Sequence, residues 1–203
     1  MRCPSNIALL AQLDIDYMGF IFYKNSARYI GDDYINGFNV RELNLSQVTK
    51  TGVFVNVKIE EVKEFANKFS LNALQFHGEE SADYCKVFKQ MGFEVIKALR
   101  PQKESLNSVA SRYEKVCNYI LFDTPTAFYG GSGRKFDWSV LNRYDADTPF
   151  FLSGGIELDD VMQIKKIQNK SFAGVDINSR FETEPGLKDF NRVKQFVEQI
   201  KKK

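Results

Sequence analysis

The sequence predicts an α/β fold in which helices cover a parallel sheet. It favours a (β/α)8 TIM-type barrel over the alternative, a doubly wound open sheet. Short apolar runs recur at intervals of roughly 20–35 residues, and they are nearly continuous rather than alternating, as strands are when both faces are buried. Stretches with the helical period lie between these runs. The number of strands and helices favours the barrel.

Seven runs rich in Val, Ile and Phe have about the length of a strand. We expect each of them to form one strand of the parallel sheet. In chain order the runs are YMGFIF (17–22), TGVFVN (51–56), NALQFHG (72–78), EVIKAL (94–99), YILFDT (119–124), PFFLSGG (149–155) and FAGVDI (172–177).

The segments between the runs repeat apolar residues every three or four positions, which predicts helices. Ser5, after Pro4, is the expected N-cap of the first helix, and Asp137 is the expected N-cap of the helix beginning near Trp138. Because no linker rich in Pro, Gly or Ser divides the chain, we expect one domain over residues 1–203. The main helical segments are 7–11, 59–69, 84–91, 106–113, 157–167 and 190–200.

The first predicted element is a helix, whereas a (β/α)8 barrel begins with a strand. The eighth strand is therefore expected immediately before Met1, so that this chain lacks strand 1 of the barrel. A barrel without that strand would have an open seam with two unpaired edges. A start recorded downstream of the true one is the simpler explanation, and a shortened protein is the other.

Composition excludes several classes of protein. A net charge of +2 over 203 residues argues against a nucleic-acid-binding surface. No run approaches the roughly 18 apolar residues of a membrane span, and the N-terminus does not resemble a signal peptide, so we expect a cytoplasmic protein. Three cysteines without a C-x-x-C pair make no disulfide framework, and a single histidine excludes a His-rich zinc site.

In a barrel of this kind, the active site is built by side chains at the carboxyl ends of the strands. The sixth run ends in Gly154 and Gly155, and Asn178 and Ser179 follow the seventh run. Glycine turns before a helix free backbone N–H groups, so these adjacent loops predict a phosphate site, although glycines also serve simply to make tight turns.

Asp123 ends the apolar run YILF, so its carboxyl group should emerge at the rim of the barrel. Burial there would raise the pKa of Asp123 and suit it to act as a general acid. The alternatives are a helix N-cap or a surface ion pair. The segment GGSG that follows could close over a ligand.

Two further residues are candidates for binding. Arg28 lies in a polar loop beside Tyr29 and could clamp a carboxylate through two hydrogen bonds, or it could be an ordinary surface charge. His77 could donate to a substrate, or it could tie down a neighbouring loop.

With these residues placed, the chain resembles the phosphoribosylanthranilate isomerase family of tryptophan biosynthesis. The similarity runs in family order from nearly the first residue to the last helix. It rests on GFIFYKNSARYI (19–30), GVFVN (52–56), LQFHGEE (74–80), LFDTPTAFYGGSGRKFDW (121–138), LSGGI (152–156) and VDINSRFETEPGLKD (175–189).

The resemblance implies an Amadori rearrangement of N-(5-phosphoribosyl)anthranilate without metal or organic cofactor. It implies that Asp123 is the general acid and that Arg28 holds the anthranilate carboxylate. Phosphorylated substrate is the implied partner, with neither nucleic acid nor membrane, and the protein is expected to be a monomer or a homodimer. The resemblance further implies that Gly154, Gly155, Asp176 and Ser179 bind the phosphate, mainly through backbone N–H groups. Gln75 and His77, in the third run, are the other predicted substrate-binding residues.

This sequence departs from the family at the general base. The resemblance implies a cysteine in a K-[IV]-C-G stretch that would precede Met1, so the role is not transferred to Cys3. Lys24 stands where proline is usual and Arg180 where glycine is usual. If Arg180 had a positive φ it would be strained, and otherwise it could lend a charge to the phosphate.

Two functions from different classes therefore stay open. The leading one is the isomerase, impaired if its base is missing, and the other is a phosphate-ligand-binding barrel without catalysis. Another phosphate barrel, such as a ribulose-phosphate epimerase, is disfavoured because that chemistry needs paired acid/base groups and usually metal-ligating histidines.

Overall fold

The computed structural model describes residues 1–30, 45–100, 105–123 and 137–202. The segment GGSG and most of the loop after Asp123 lie outside the described residues. The strands are β1 (Tyr17–Ile21), β2 (Thr49–Phe54), β3 (Ala73–Phe76), β4 (Glu94–Leu99), β5 (Tyr119–Asp123), β6 (Phe150–Ser153), β7 (Phe172–Val175), β8 (Glu182–Glu184) and β9 (Leu187–Lys188). The α-helices are α1 (Pro4–Leu10), α2 (Ile59–Phe69), α3 (Ala82–Gln90), α4 (Leu106–Ser111), α5 (Val161–Ile164) and α6 (Phe190–Lys201).

Strands β1 to β7 form one parallel sheet in which spatial order follows chain order, β1-β2-β3-β4-β5-β6-β7. A doubly wound sheet reverses its strand order at a switch point, whereas a barrel keeps it. The order therefore selects the barrel type, and all seven predicted strands are present.

Strands β1 and β7 are the two ends of this sheet, and each pairs with one strand in the described part of the chain. The backbone nitrogen of Met1 donates a hydrogen bond to the carbonyl of Gly19 at 2.9 Å, so the first residue lies alongside β1. An additional strand before Met1 stays a prediction.

The two faces of the sheet pack in different ways. On one face, Ile96, Ala98 and Leu121 form a small apolar cluster with Tyr119 and Phe151, as expected of residues that fill the inside of a barrel. The other face packs against the helices in a larger core rich in phenylalanine, in which the fully buried aromatic side chains include Phe20, Phe54, Phe69, Phe76, Phe88, Phe122 and Phe150.

Two helices differ from the sequence predictions, one in its N-cap residue and the other in its length. Helix α1 begins at Pro4 with Cys3 as its N-cap residue, so the expectation of Ser5 is wrong; proline at the first helical position needs no N–H partner. The predicted helix 157–167 is shorter, a 3₁₀ turn (Leu158–Asp160) followed by α5. Asp137 does cap a helix, but of the 3₁₀ type (Trp138–Arg143), and it accepts from the N–H of Ser139.

A short hairpin of β8 and β9 follows the sheet, and the sequence analysis did not predict it. Its turn contains Gly186 at φ +86°, where a Cβ would lie 2.8 Å from the side chain of Arg2. Asn6 of α1 exchanges two hydrogen bonds of 2.9 Å with the backbone of Lys188. The hairpin is therefore held against α1. None of the helices described here is both long and apolar enough to span a bilayer.

Candidate active site

A cavity of about 1640 Å³ extends along the inside of the sheet, from the carboxyl ends of the strands to amino-end residues such as Thr49 and Tyr119, and along the gap between β1 and β7. Apolar side chains of α1 and α6, among them Leu10, Val193 and Phe196, line that gap. All eight predicted site residues line the cavity: Arg28, Gln75, His77, Asp123, Gly154, Gly155, Asp176 and Ser179. Residues from five different strand ends thus meet, as the barrel topology requires.

Asp123 lies at the centre of a chain of polar contacts. Its Oδ2 is 3.1 Å from Nε2 of His77 and 3.3 Å from Nε of Arg100. Nε2 of the Gln75 amide is 3.2 Å from Nδ1 of His77. Because an amide nitrogen only donates, Nδ1 accepts, and the ring proton on Nε2 is donated to Asp123.

The expected direction of the Asp123 pKa shift is wrong. Burial alone raises the pKa of this carboxyl group, as predicted, but the hydrogen bond from His77 and the nearby charge of Arg100 outweigh burial. Together they hold the pKa of Asp123 below its ordinary value. The free site therefore contains an ionised carboxylate. His77 was predicted either to donate to a substrate or to tie down a neighbouring loop, and in the structure it contacts Asp123.

Arg28 is not free in the cavity, because its guanidinium is bound to Glu182 of the hairpin. Nε donates to both carboxylate oxygens, at 2.8 and 3.0 Å, and Nη2 donates to Oε2 at 2.5 Å. The Arg28 side chain is 25% exposed and that of Glu182 is 4% exposed. The alternative of an ordinary surface charge is therefore excluded.

Lys188 adds a second cation to the same carboxylate. Its Nζ lies 3.1 Å from Oε1 of Glu182 and 2.5 Å from Oδ1 of Asn178. Burial lowers the pKa of Lys188, while burial of Glu182 is outweighed by Arg28 and Lys188, which hold the pKa of that carboxyl group low. The carboxylate of Glu182 thus lies between two cations beside the cavity.

The predicted phosphate turn contains two glycines in the left-handed region, Gly154 at φ +101° and Gly155 at φ +55°. The helix that follows does not offer its N-terminus to a ligand. Asp160 accepts from the N–H of Glu157 at 2.8 Å, and Glu157 accepts from the backbone of Asp160, so two carboxylates cap this end. A phosphate here would rely on the glycine turn and on Ser179.

Asp176 cannot contribute as expected, because its N–H donates to the carbonyl of Leu152 at 2.8 Å. Its carboxylate instead accepts from the hydroxyl of Ser153 at 3.2 Å, and burial raises the pKa of Asp176. Arg180 has no positive φ and is therefore unstrained; its Nε is 3.3 Å from Oε1 of Glu157. The charge of Arg180 is thus partly neutralised.

Cys3 lies outside the set of described residues that line the cavity. Its thiol is 3.2 Å from the hydroxyl of Ser5, whose hydrogen bond lowers the pKa of the thiol. Cys3 is therefore not placed to act as the base in this cavity.

Glu182 and Lys188 are not among the residues predicted from the sequence. Both lie in the segment ETEPGLKD, whose proline–glycine pair indicates a turn and could have signalled the hairpin. Among the residues in the described ranges, no three His, Cys, Asp or Glu side chains form a group that could hold a metal ion.

Comparison with known proteins agrees with the motif-based resemblance. The profile of the family described as N-(5'-phosphoribosyl)anthranilate (PRA) isomerase matches residues 2–199. A relative of that name from Parabacteroides distasonis is 42% identical over 98% of this chain and 90% of its own length. One from Phocaeicola vulgatus is 40% identical over 100% of this chain and 96% of its own length.

Solved structures show the same similarity. The phosphoribosyl anthranilate isomerase of Thermotoga maritima superposes with a TM-score of 0.81 at 32% identity, covering 99% of this chain and 95% of its own. A structure of such an isomerase in complex with reduced 1-(o-carboxyphenylamino)-1-deoxyribulose 5-phosphate has a TM-score of 0.80 at 30% identity, with the same coverage. These matches confirm the TIM-type α/β fold.

Proposed function

The chain belongs to the N-(5'-phosphoribosyl)anthranilate isomerase family of tryptophan biosynthesis, and we propose that the cavity carries out the family's Amadori rearrangement. The product is 1-(o-carboxyphenylamino)-1-deoxyribulose 5-phosphate. The observation that carries the proposal is the meeting of Asp123 with two groups of anion-binding residues in one cavity. These groups are Arg28 with Lys188, and the glycine turn with Ser179.

The substrate has an anionic group at each end, and the cavity offers a separate partner for each. Arg28 would bind the anthranilate carboxylate through hydrogen bonds to its planar guanidinium. Gly154, Gly155 and Ser179 would bind the phosphate. With both ends held, the ribose ring between them would lie against Asp123 at the end of β5.

Asp123 would protonate the furanose ring oxygen while the bond from that oxygen to C1 breaks, which opens the sugar to a Schiff base. Because the pKa of Asp123 is held low in the free site, the acid form has to be gained on binding. A dianionic phosphate and the loss of water both favour a protonated carboxyl group, so the substrate itself would raise the pKa of Asp123.

Removal of the C2 proton needs a base, and we assign that role to none of the described residues that line the cavity. Because no base is assigned, a second function is also considered, namely a barrel that binds the phosphorylated ligand without converting it. The position of Cys3 outside the cavity is the observation that favours it.

Steady-state conversion of phosphoribosylanthranilate by the 203-residue chain, together with binding of the reduced product analogue, tests the proposal. Turnover that Asp123→Asn removes would support the isomerase. Tight binding without turnover would support the binding protein, and absence of both would contradict the assignment of this cavity. We further propose one domain over residues 1–203 and, since the substrate is a soluble biosynthetic intermediate, a cytoplasmic location.

A further inference from the structure

We infer that Glu182 is a positioning residue that aims Arg28 at the carboxylate of the substrate and so determines specificity for it. The inference rests on the proposed function of the cavity. Glu182 is not among the described residues that line the cavity, whereas Arg28 is. Glu182 therefore acts from behind the arginine and does not touch the ligand.

The contacts occupy one side of the guanidinium. Glu182 takes the edge formed by Nε and Nη2, and Nη1 is not used in these contacts. A guanidinium has five N–H donors in a rigid plane, so fixing one edge also fixes the direction of the donors that remain. Those donors belong to a side chain that lines the cavity and is 25% exposed.

The remaining acceptor capacity of Glu182 orients its carboxylate. Oε1 accepts from Nζ of Lys188 and from the N–H of Gly186, both at 3.1 Å. These contacts come from the hairpin, whose backbone is bonded to Asn6 of α1. The carboxylate is thus held by its own hairpin, and the arginine, 154 positions earlier in the chain, is held by the carboxylate.

The substitution Glu182→Gln separates positioning from folding. The amide oxygen of the new side chain can still accept from Gly186 and Lys188, so the hairpin keeps its contacts. The amide nitrogen would replace Oε2, the oxygen that accepts from both Nε and Nη2 of Arg28, and two donors facing each other cannot bond. One contact, from Nε to the retained oxygen, would remain, so the guanidinium could turn about it while the barrel stays folded. Glu184→Gln, an exposed change in the same hairpin, is the matched control.

The test measures binding of two ligands to the wild-type chain and to both variants. The first is the reduced product analogue, and the second is the same molecule without its ring carboxylate. In Glu182→Gln we expect the first ligand to bind about tenfold to a hundredfold more weakly, the effect of one charge-assisted hydrogen bond. The second ligand should keep its affinity, and Glu184→Gln should match the wild-type chain for both.

Each other result overturns the inference. If Glu182→Gln binds the carboxylate-bearing ligand in the same preference to the other ligand as the wild-type chain does, Glu182 is not needed to orient Arg28. An equal loss for both ligands would assign Glu182 a purely structural role, and an unchanged thermal midpoint is the check that the variant is folded. If the wild-type chain binds neither ligand, the proposed function fails together with the inference, which distinguishes that outcome from a failure confined to the variant.

Discussion

Nε2 of His77 lies 3.1 Å from Oδ2 of Asp123, and this contact connects the end of β3 with the end of β5 across the strand between them. Arg100, at the end of that intervening strand β4, reaches the same oxygen. Both donors meet Oδ2, so among the residues in the described ranges Oδ1 is the oxygen left to present a proton to a ligand.

Asp123→Asn should abolish turnover and leave the affinity for the reduced product analogue within about tenfold, because the acid acts in the transition state. A general acid contributes about 10²- to 10⁴-fold to the rate, and the amide cannot deliver a proton to the ring oxygen. Measured kcat and Kd for the variant check this. Asp137→Asn, which changes an exposed helix cap, is the control and should keep its kcat. Full activity of Asp123→Asn would refute the assignment.

His77→Asn should raise the pKa of Asp123, because it removes the hydrogen bond from Nε2 that helps to outweigh burial. A carboxyl group with a lowered pKa stabilises the folded state above its unfolded-state pKa of about 3.9, and this stabilisation is lost as the pH falls through the folded-state pKa. The variant should therefore be less stable than the wild-type chain at pH 7, and the difference should shrink in acid.

Carboxyl NMR titration of Asp123 and urea unfolding at pH 7 and in acid measure these effects. Arg100→Gln is the graded comparison: the Arg100 side chain is 65% exposed, so water screens its charge and the pKa of Asp123 should move less. An unchanged titration in His77→Asn would show that the histidine does not govern the acid.

The near-continuous apolar runs predicted all seven strands of the sheet, because a strand buried on both faces needs apolar residues at almost every position. The same argument placed Asp123, since a polar residue ending such a run must emerge where the run ends. The direction of its pKa shift could not be predicted in this way. It depends on His77, 46 positions away, and only the folded sheet brings the two side chains together.

Glu182, the partner of Arg28, could not be predicted from the sequence either. Glu182 lies in a hairpin whose strands are two and three residues long, too short to show an alternating pattern. A charged residue in such a segment looks like an ordinary surface residue in the sequence. Its burial to 4% exposure arises from packing between the β1 loop, α1 and the hairpin, which are distant in the chain.

Cys3→Ser should leave kcat and KM unchanged, because Cys3 is not among the described residues that line the cavity. Cys3 is the N-cap residue of α1 and makes no side-chain cap hydrogen bond. Serine is a preferred N-cap, so the variant should be equally stable or more stable by up to about 1 kcal/mol. Kinetics and thermal unfolding measure both quantities. A large loss of kcat would instead assign the role of the base to Cys3.

Lys97→Met should lower the free energy of unfolding by about 3–5 kcal/mol, the usual cost of removing one partner of a buried ion pair. Lys97 and Glu80 are each 2% exposed at their side chains, and Nζ of Lys97 lies 3.2 Å from Oε2 of Glu80. The ammonium group also donates to the carbonyls of Phe76, Gly78 and Ala98. Lys97 therefore holds the segment after β3 that carries His77.

Urea unfolding of Lys97→Met, Glu80→Gln and the double variant measures this interaction. The double variant should be more stable than the sum of the two single losses predicts, because it no longer buries an unpaired charge. Lys89→Met is the matched control: this lysine makes one backbone contact, to the carbonyl of Cys117, and its removal should cost less. Additive losses in the double variant would show that Lys97 and Glu80 stabilise the barrel independently.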